Sequence, residues 1–173
     1  GVDLSFDAVT YCKKNKLTVY HGDVRSVKQL DNKKFDVVTA FEIIEHEADA
    51  LGMMTRIHSL LKPDGIAIVS TPNHGGLWRK LMGKHWFGFT HPEHLFFFDP
   101  NSLSFLMKKA GFHQIEIKPD TPRPFPLSFA FSRCGDYFPR FRNIFRFAES
   151  LLDKFDIKNP VNPWDDMVAW GRR

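Results

Sequence analysis

The fold is decided by residues 35–46, which read FDVVTAFEIIEH. The first seven of these residues are mostly apolar and favour an extended backbone, and they run directly into two carboxylates and an imidazole. A strand of a parallel sheet delivers polar groups in this way to a cleft at its carboxyl end. The stretch therefore predicts a buried strand over Phe35 to Phe41, with Glu42, Glu45 and His46 at the cleft.

The composition indicates one globular domain over residues 1–173. Hydrophobic residues make up 43% of the chain and charged residues 25%, and a chain of this length builds one core more readily than two. The net charge of +4 suits an anionic ligand, but it does not predict nucleic acid, and we expect no DNA partner. No signal peptide, membrane span or paired-cysteine spacing is seen, so we expect a cytoplasmic protein.

Strands and helices alternate along the chain, which predicts an α/β fold with an open, mostly parallel sheet. The last predicted strand, 167–171, is expected to form an antiparallel edge pair with the strand over 112–118. The predicted strands are 1–5, 17–20, 35–41, 66–71, 112–118 and 167–171, and the predicted helices are 6–14, 48–61, 99–111 and 145–155.

A proline-rich insertion interrupts this alternation. Seven of the eleven prolines fall between Pro119 and Pro163, so we divide the domain into a core (1–118), an insertion or cap (119–163) and a last strand (164–173). Seven Phe and five Arg alternate between Arg123 and Phe147. This pattern is compatible with peripheral membrane contact or a hydrophobic-substrate element through 123–147, although a compact helical cap over the edge of the sheet, with its arginines pointing outward, is the favoured interpretation.

The order of these features resembles the class I S-adenosylmethionine-dependent methyltransferases, in particular the small-molecule and quinone-type O-methyltransferases. GVDLS at 1–5 resembles the family's second strand, and GDV at 22–24 resembles the end of its third. The most specific resemblance is residues 35–46 followed by LLKPDG at 60–65 and IVSTPN at 68–73. HLFFFDP at 94–100 and the segment 106–112 resemble the fifth helix and sixth strand.

This resemblance implies a Rossmann-like fold, S-adenosylmethionine as cofactor and a set of cofactor-binding residues. Asp3 is expected to accept hydrogen bonds from the ribose hydroxyls, because an ionised carboxylate offers only acceptor sites. Asp23 is expected to face the adenine. Each acid has a plainer interpretation, as a helix cap or a turn residue. The predicted cofactor-binding residues are Asp3, Leu4, Asp23, Val24, Phe41 and Glu42.

The chemistry implied by the resemblance is in-line displacement of a methyl group from a sulfonium. The protein has to align donor and acceptor and to remove a proton. Imidazole titrates in a suitable range, so we predict His46 as the catalytic base, with Glu45 beside it. The loop from Trp78 to His94 is a candidate wall for an aromatic or lipid-like acceptor, although a lid that packs on itself explains it equally well. Its predicted substrate-binding residues are Trp86, Phe89, His91 and His94.

A divalent metal is a less favoured alternative. Some RNA-terminal and quinone-pathway members of the class bind one through a Glu-x-x-Glu-His run and a later histidine. The matching residues are Glu42, Glu45, His46 and His94. In metal-free relatives the same Glu-His pair caps the following helix. Two carboxylates and two imidazoles suit manganese, iron or zinc better than magnesium.

The chain departs from the family in one respect: the first strand and its glycine-rich loop would precede Gly1. The only paired glycines, Gly75 and Gly76, follow a different strand. The lack of a first strand predicts a groove between the second and fourth strands of the family order. We interpret the chain as a fragment of a longer methyltransferase, or as one whose gap a partner chain closes.

We therefore expect an enzyme that transfers a methyl group from S-adenosylmethionine to a small-molecule or lipid-like acceptor, at oxygen. The alternative is a non-catalytic remnant or binding module that keeps the sheet and cannot hold the cofactor.

Overall fold

The computed structural model describes residues 1–86, 88–89, 92–120, 125–126, 128, 135, 138–154, 158–159 and 165–173. His91 and most of the segment between 121 and 137 lie outside the described residues. The strands are β1 Val2–Asp3, β2 Tyr20–His21, β3 Phe35–Phe41, β4 Leu61–Pro72, β5 His113–Pro119, β6 Phe125–Pro126, β7 Lys158–Asn159 and β8 Asp166–Arg172. The helices are α1 Phe6–Lys14, α2 Ala50–Leu60, α3 Leu77–Met82, α4 Pro100–Lys109 and α5 Arg142–Asp153.

The main sheet has the strand order β3-β4-β8-β5. β3 and β4 are parallel, while β8 runs antiparallel to both β4 and β5. The predicted α/β fold and the antiparallel pair at one edge are confirmed, and within that pair β5 is the outer strand. β1 and β2 form a separate parallel pair, and β6 and β7 a short antiparallel pair.

Local sequence explains where three helices begin. The Ser5 side chain accepts a hydrogen bond from the Ala8 amide at the start of α1, and Asp49 accepts from Gly52 at the start of α2. At α4, Asp99 and Ser102 form a reciprocal capping box. Such caps satisfy amide groups that have no partner within the helix. α1 has the predicted bounds, and α2 and α4 differ from prediction by one or two residues at each end.

β3 has the predicted bounds but not the predicted burial. Val38 and Ala40 point toward the core, whereas Val37 and Phe41 are 49% and 54% exposed. The prediction of a buried strand is wrong for one face of β3, because strand side chains alternate and Val37, Thr39 and Phe41, which share that face, are exposed. The predicted strand over 17–20 was also too long, since only Tyr20 and His21 pair with β1.

β4 is longer than predicted because it includes the turn at 62–65. Its register against β3 shifts between the pairs Phe35–Leu61 and Val37–Ile66. An added Cβ at Gly65 would lie 2.9 Å from the Lys62 carbonyl oxygen and 3.1 Å from that of Phe35. The close approach of the 62–65 turn to the backbone of Phe35 therefore requires glycine at this position.

The core lies where α2 and α4 pack against the main sheet. Its central side chains are less than 5% exposed: Ile44, Met53, Met54, Ile57, Leu61, Ala67, Val69, Leu103, Met107, Met167 and Ala169. A smaller cluster of Val27, Leu30 and Leu60 ties the connection after β2 to α2. No described helix is long and apolar enough to cross a membrane.

Candidate active site

A groove of about 430 Å³ separates the β1–β2 pair from β3. In the described residues β1 pairs with β2 alone and β3 with β4 alone, so each presents an unpaired backbone edge. The predicted groove is therefore present. Of the predicted cofactor-binding residues, four line it: Asp3, Leu4, Asp23 and Val24. The opposite wall includes Val37, Val38, Thr39 and Ala40 of β3.

Asp3 combines a turn role with a free acceptor. Its Oδ1 accepts a hydrogen bond of 2.7 Å from the Ser5 amide, which orients the carboxylate at the end of β1. Oδ2 has no hydrogen-bond partner among the described residues. Ser5, rather than Asp3, caps α1. One carboxylate oxygen at the mouth of the groove thus remains available to a ligand.

Asp23 is already paired. Both of its oxygens accept hydrogen bonds from the Arg25 guanidinium, and Oδ1 also accepts from the Arg25 amide at 2.8 Å. The hydrogen bonds from Arg25 hold the pKa of this carboxyl below its usual value. Arg25 also forms two ion pairs: its Nη2 lies 3.3 Å from Oε2 of Glu47, and its Nη1 lies 3.4 Å from Oδ2 of Asp49.

Arg25 thereby links the turn after β2 to the segment before α2. Arg25 was not predicted as a site residue, although an acid and an arginine two residues apart in a turn are a visible signal in the sequence. The arrangement gives Asp23 its plainer role as a turn residue, and any contact of its carboxylate with a ligand would have to share or replace the Arg25 pair.

The end of β3 turns sharply at Glu42, whose φ of 52° lies in the left-handed region. Its amide donates to the Ser70 carbonyl at 3.1 Å, and the Ser70 hydroxyl donates to its Oε1 at 2.6 Å. These bonds hold the Glu42 side chain beside β4. Neither Glu42 nor Phe41 is among the residues that line the groove, and Phe41 is 54% exposed.

Glu45 is a buried carboxylate with one satisfied oxygen. The residue is 1% exposed. The Thr71 hydroxyl donates to Oε2 at 2.9 Å, but Oε1 has no hydrogen-bond partner. The backbone carbonyl of Glu45 also accepts from the amides of Leu95 and Phe96, which fixes the later loop against this turn. An unpaired buried carboxylate oxygen is costly, so it marks a place where a proton or cation would be stabilised.

His46 and His94 meet at this carboxylate. Their rings are 4.7 Å apart, edge to face. Nδ1 of His46 lies 2.8 Å from the Glu93 carbonyl oxygen, and Nδ1 of His94 lies 2.9 Å from that of Gly88. A carbonyl oxygen can only accept, so each Nδ1 carries a proton and each neutral ring keeps its lone pair on Nε2.

The Nε2 atom of His46 lies 3.8 Å from Oε1 of Glu45. Ligand atoms of Glu45, His46 and His94 all lie within 4.8 Å of one another. Among the described residues Glu42 is not part of this cluster. The structure thus brings together three of the four residues that were predicted as alternative metal ligands. Two of these three, Glu45 and His46, are also the predicted catalytic residues.

Trp86 and Phe89 lie in an aromatic cluster around His74. The His74 ring centroid is 6.0, 5.8 and 5.8 Å from those of Trp86, Phe89 and Phe97. Trp86 is only 2% exposed, as expected if the loop packs on itself. The Gly88 carbonyl oxygen accepts a hydrogen bond from Nδ1 of His94, so the same loop also positions the histidine pair.

His74 and Arg79 were missed by the sequence analysis. Arg79 donates to Nε2 of His74 at 3.1 Å and lies over the Phe89 ring, 4.8 Å from its centroid. Burial first, and then the charge of Arg79, lower the pKa of His74. Because Nε2 accepts the hydrogen bond from Arg79, the imidazole at the centre of the cluster is neutral.

A family model described as a methyltransferase domain matches residues 1–117. The chain belongs to this methyltransferase family. It is 29% identical to a ubiquinone biosynthesis O-methyltransferase of Cereibacter sphaeroides over 132 residues, which cover 72% of this chain and 53% of that protein. The chain thus spans about half the length of the curated relatives it matches.

Solved structures show the same fold. A SAM-dependent methyltransferase from Archaeoglobus fulgidus superposes with a TM-score of 0.62 at 19% identity, covering 100% of this chain and 75% of that one. The Haemonchus contortus phosphoethanolamine N-methyltransferase 2 in complex with S-adenosyl-L-methionine gives 0.58 at 19% identity, covering 100% and 42%. The predicted Rossmann-like methyltransferase fold is confirmed.

Proposed function

We propose that this chain serves S-adenosylmethionine-dependent methyl transfer to a hydroxyl group of a small-molecule or lipid-like acceptor. The observation that carries the proposal is the convergence of Glu45, His46 and His94 at the carboxyl end of β3. Ligands of open α/β sheets bind at that edge. The ubiquinone O-methyltransferase relatives support oxygen as the methylated atom and a lipid-like acceptor.

The cofactor side of the site would be the groove. Oδ2 of Asp3 is free to accept hydrogen bonds from vicinal hydroxyls, as a ribose ring offers. Leu4 and Val24 supply apolar contact to a planar base, and Asp23 would meet the base only beside its Arg25 partner. When bound, S-adenosylmethionine supplies an activated methyl group.

The acceptor side would be served by His46. Its Nδ1–H is held by the Glu93 carbonyl, so Nε2 is the nitrogen that takes the acceptor's proton. Glu45, 3.8 Å away, would stabilise the resulting imidazolium. Since the donor is already activated, orientation and this proton transfer are the main demands on the protein. Phe89 and His94 are the described residues of the proposed acceptor wall, His91 lies outside the described residues, and Trp86, which is 2% exposed, would support the wall from behind.

Cofactor binding is tested by titrating the chain with S-adenosylhomocysteine in a calorimeter. Asp3→Asn should weaken binding about tenfold or more, because a charge-assisted hydrogen bond is lost. Asp7→Asn, an equally exposed acid in α1, is the matched control and should bind as the wild type does. No binding to the wild type, or equal binding by both variants, would contradict the proposed groove site.

Catalysis is tested with a catechol as acceptor. His46→Gln should lower kcat by about 10²-fold or more while leaving S-adenosylhomocysteine affinity unchanged. His113→Gln serves as the control, since His113 on β5 is exposed and lies neither at the groove nor at the β3 end. Cofactor binding without any methyl transfer by the wild type would favour the alternative of a binding module.

A divalent metal is a second candidate at the same site. The orphaned Oε1 of buried Glu45 and two imidazoles with free Nε2 atoms form a donor set that fits manganese, iron or zinc. The carbonyl contacts at both Nδ1 atoms are the outer partners that metal-ligating histidines use. A bound metal would lower the pKa of a coordinated hydroxyl, and Glu45, His46 and His94 would hold it.

Metal binding is tested by calorimetry with Mn²⁺ and Zn²⁺ on the chelator-treated chain. Glu45→Gln and His94→Gln should each lower affinity about tenfold or more. His113→Gln, an exposed histidine on β5, should have no effect. Binding of neither ion to the wild type would remove the metal and leave His46 as an unassisted base.

A further inference from the structure

An exposed apolar surface lies on α5 and on the 3₁₀ turn Pro139–Phe141 that precedes it. Five large apolar side chains there are exposed, and we refer to them together as the α5 ridge. They are Phe138 (52%), Phe141 (51%), Ile144 (65%), Phe147 (68%) and Leu151 (42%).

The ridge occupies one side of α5. Ile144, Phe147 and Leu151 follow a spacing of three and four residues, which places them on one helix face at about 100° per residue. Phe145 and Leu152 lie on the adjacent face and are half-buried, and an added Cβ at Gly135 would lie 3.4 Å from Cβ of Phe145. One apolar face of the helix is thus partly covered, and the other is exposed.

Exposed cations accompany the ridge. Arg140, Arg142 and Arg146 are all exposed, and Lys154 follows the last turn. None of these four side chains has a carboxylate within ion-pair distance among the described residues. The only acid with a described side chain on α5 is Glu149, which is half-buried. Among the described residues, the surface around the ridge therefore carries more positive than negative charge.

We propose that the α5 ridge binds the surface of an anionic lipid bilayer. Transfer of Phe, Ile and Leu side chains from water to the acyl region lowers the free energy, and these side chains have no polar group that would need a hydrogen bond there. Each nearby cation adds attraction to anionic headgroups. Charge complementarity thus favours an anionic membrane over a neutral one, and α5 would lie in the interface rather than cross it.

The inference is independent of the methyl-transfer site, because no residue of the ridge lines the groove or the histidine cluster. It narrows the sequence-based expectation of membrane contact through 123–147 to the helix that carries the exposed face. An acceptor that is itself lipid-like would partition into the same bilayer. Either proposal can fail without the other.

The test is co-sedimentation of the chain with sucrose-loaded vesicles. Phosphatidylcholine vesicles are compared with vesicles of mixed phosphatidylcholine and phosphatidylglycerol. We expect binding to the mixed vesicles that weakens with added salt. Phe147→Ser should reduce the partition coefficient about tenfold or more. Phe105→Ser, on α4, is the matched control, because Phe105 is 67% exposed and Phe147 is 68% exposed.

The charge contribution is tested separately. Arg142→Gln/Arg146→Gln should abolish the preference for anionic vesicles, whereas Lys108→Gln/Lys109→Gln on α4 should preserve it. Failure of the wild type to bind mixed vesicles, or equal losses in the Phe147 and Phe105 variants, would overturn the proposal. So would a concentration-dependent dimer in sedimentation velocity that Phe147→Ser dissolves, because the ridge would then cover a second copy.

Discussion

At the scale of single residues, Asp165 is a buried acid next to another acid. It is 4% exposed, and its backbone carbonyl accepts from the Asn73 amide. Burial, and then the charge of Asp166, raise the pKa of its carboxyl to about 7 from an ordinary 3.8, against an opposing effect of Trp86. The acid thus joins the start of β8 to the aromatic loop.

This raised pKa predicts a pH-dependent cost to stability. Below pH 3.8 Asp165 is protonated in both states and costs nothing. As pH rises toward about 7, the unfolded chain ionises first, so the free energy of unfolding falls and then stays level. Asp165→Asn should therefore be more stable than wild type by on the order of 2 kcal/mol near pH 8 and equal to it near pH 3.

Urea unfolding at several pH values measures this difference. Exposed Glu116 on β5 provides the control, and Glu116→Gln should follow the wild-type curve across the range. A constant difference between Asp165→Asn and wild type at every pH would show that the substitution acts through packing rather than through charge.

At the scale of elements, α4 depends on its capping box. Asp99 accepts from the Ser102 amide at 2.7 Å, and the Ser102 hydroxyl accepts from the Asp99 amide at 2.9 Å. Asp99→Ala should lower the free energy of unfolding by about 1 kcal/mol. Asn101 is exposed in the first turn of α4, and Asn101→Ala should change the free energy of unfolding by less than about 0.5 kcal/mol.

The effect of Asp99→Ala should also depend on pH. Hydrogen bonds from Ser102 lower the pKa of Asp99, so the ionised cap contributes stability above the ordinary pKa of 3.8 and loses it as pH falls through the lower folded value. The difference between wild type and Asp99→Ala, measured by thermal unfolding, should shrink in acid. A difference that grows in acid would contradict capping by the carboxylate.

At the scale of the whole molecule, the groove divides the structure into parts of unequal stability. The β1–β2 pair has two residues in each strand and an open edge, while β4 is hydrogen-bonded on both sides. Short two-stranded pairs are marginally stable. Amide hydrogens of Tyr20 and Gly22, which bond to the carbonyls of Gly1 and Asp3, should exchange faster than those of Ile68 and Val69.

Hydrogen exchange followed by mass spectrometry or NMR measures this contrast. As a control, an extended apolar segment can be fused before Gly1 to provide a strand that pairs with the open edges at the groove. It should slow amide exchange at Tyr20 and Gly22 and leave exchange at Ile68 and Val69 unchanged. Equal protection of the β1–β2 pair and β4 in the unextended chain would show that the two parts unfold together.

Local sequence patterns predicted the elements well. β3 and α1 have the bounds that periodicity and capping residues indicated, since these signals act within a few residues. The spacing of Glu42, Glu45 and His46 also predicted a polar turn at a strand end. It did not predict that Glu42 would turn away to Ser70, because that partner lies 28 residues further along the chain.

The sequence by itself determined the order of the main strands and helices, the carboxyl-end turn at 42–46 and the family to which the chain belongs, whereas α3 lies in a stretch that was predicted as a loop. Only the tertiary structure decided which polar atoms lack a hydrogen-bond partner: within the described part of the chain, Oδ2 of Asp3 and Oε1 of Glu45 have none, whereas both carboxylate oxygens of Asp23 pair with Arg25. It likewise brought His94 to His46 across 48 positions of sequence and left the α5 ridge exposed. The physical reason is that secondary-structure preference and helix capping depend on neighbouring residues. Side-chain burial and the choice of hydrogen-bond partner depend on packing between segments that are distant in sequence.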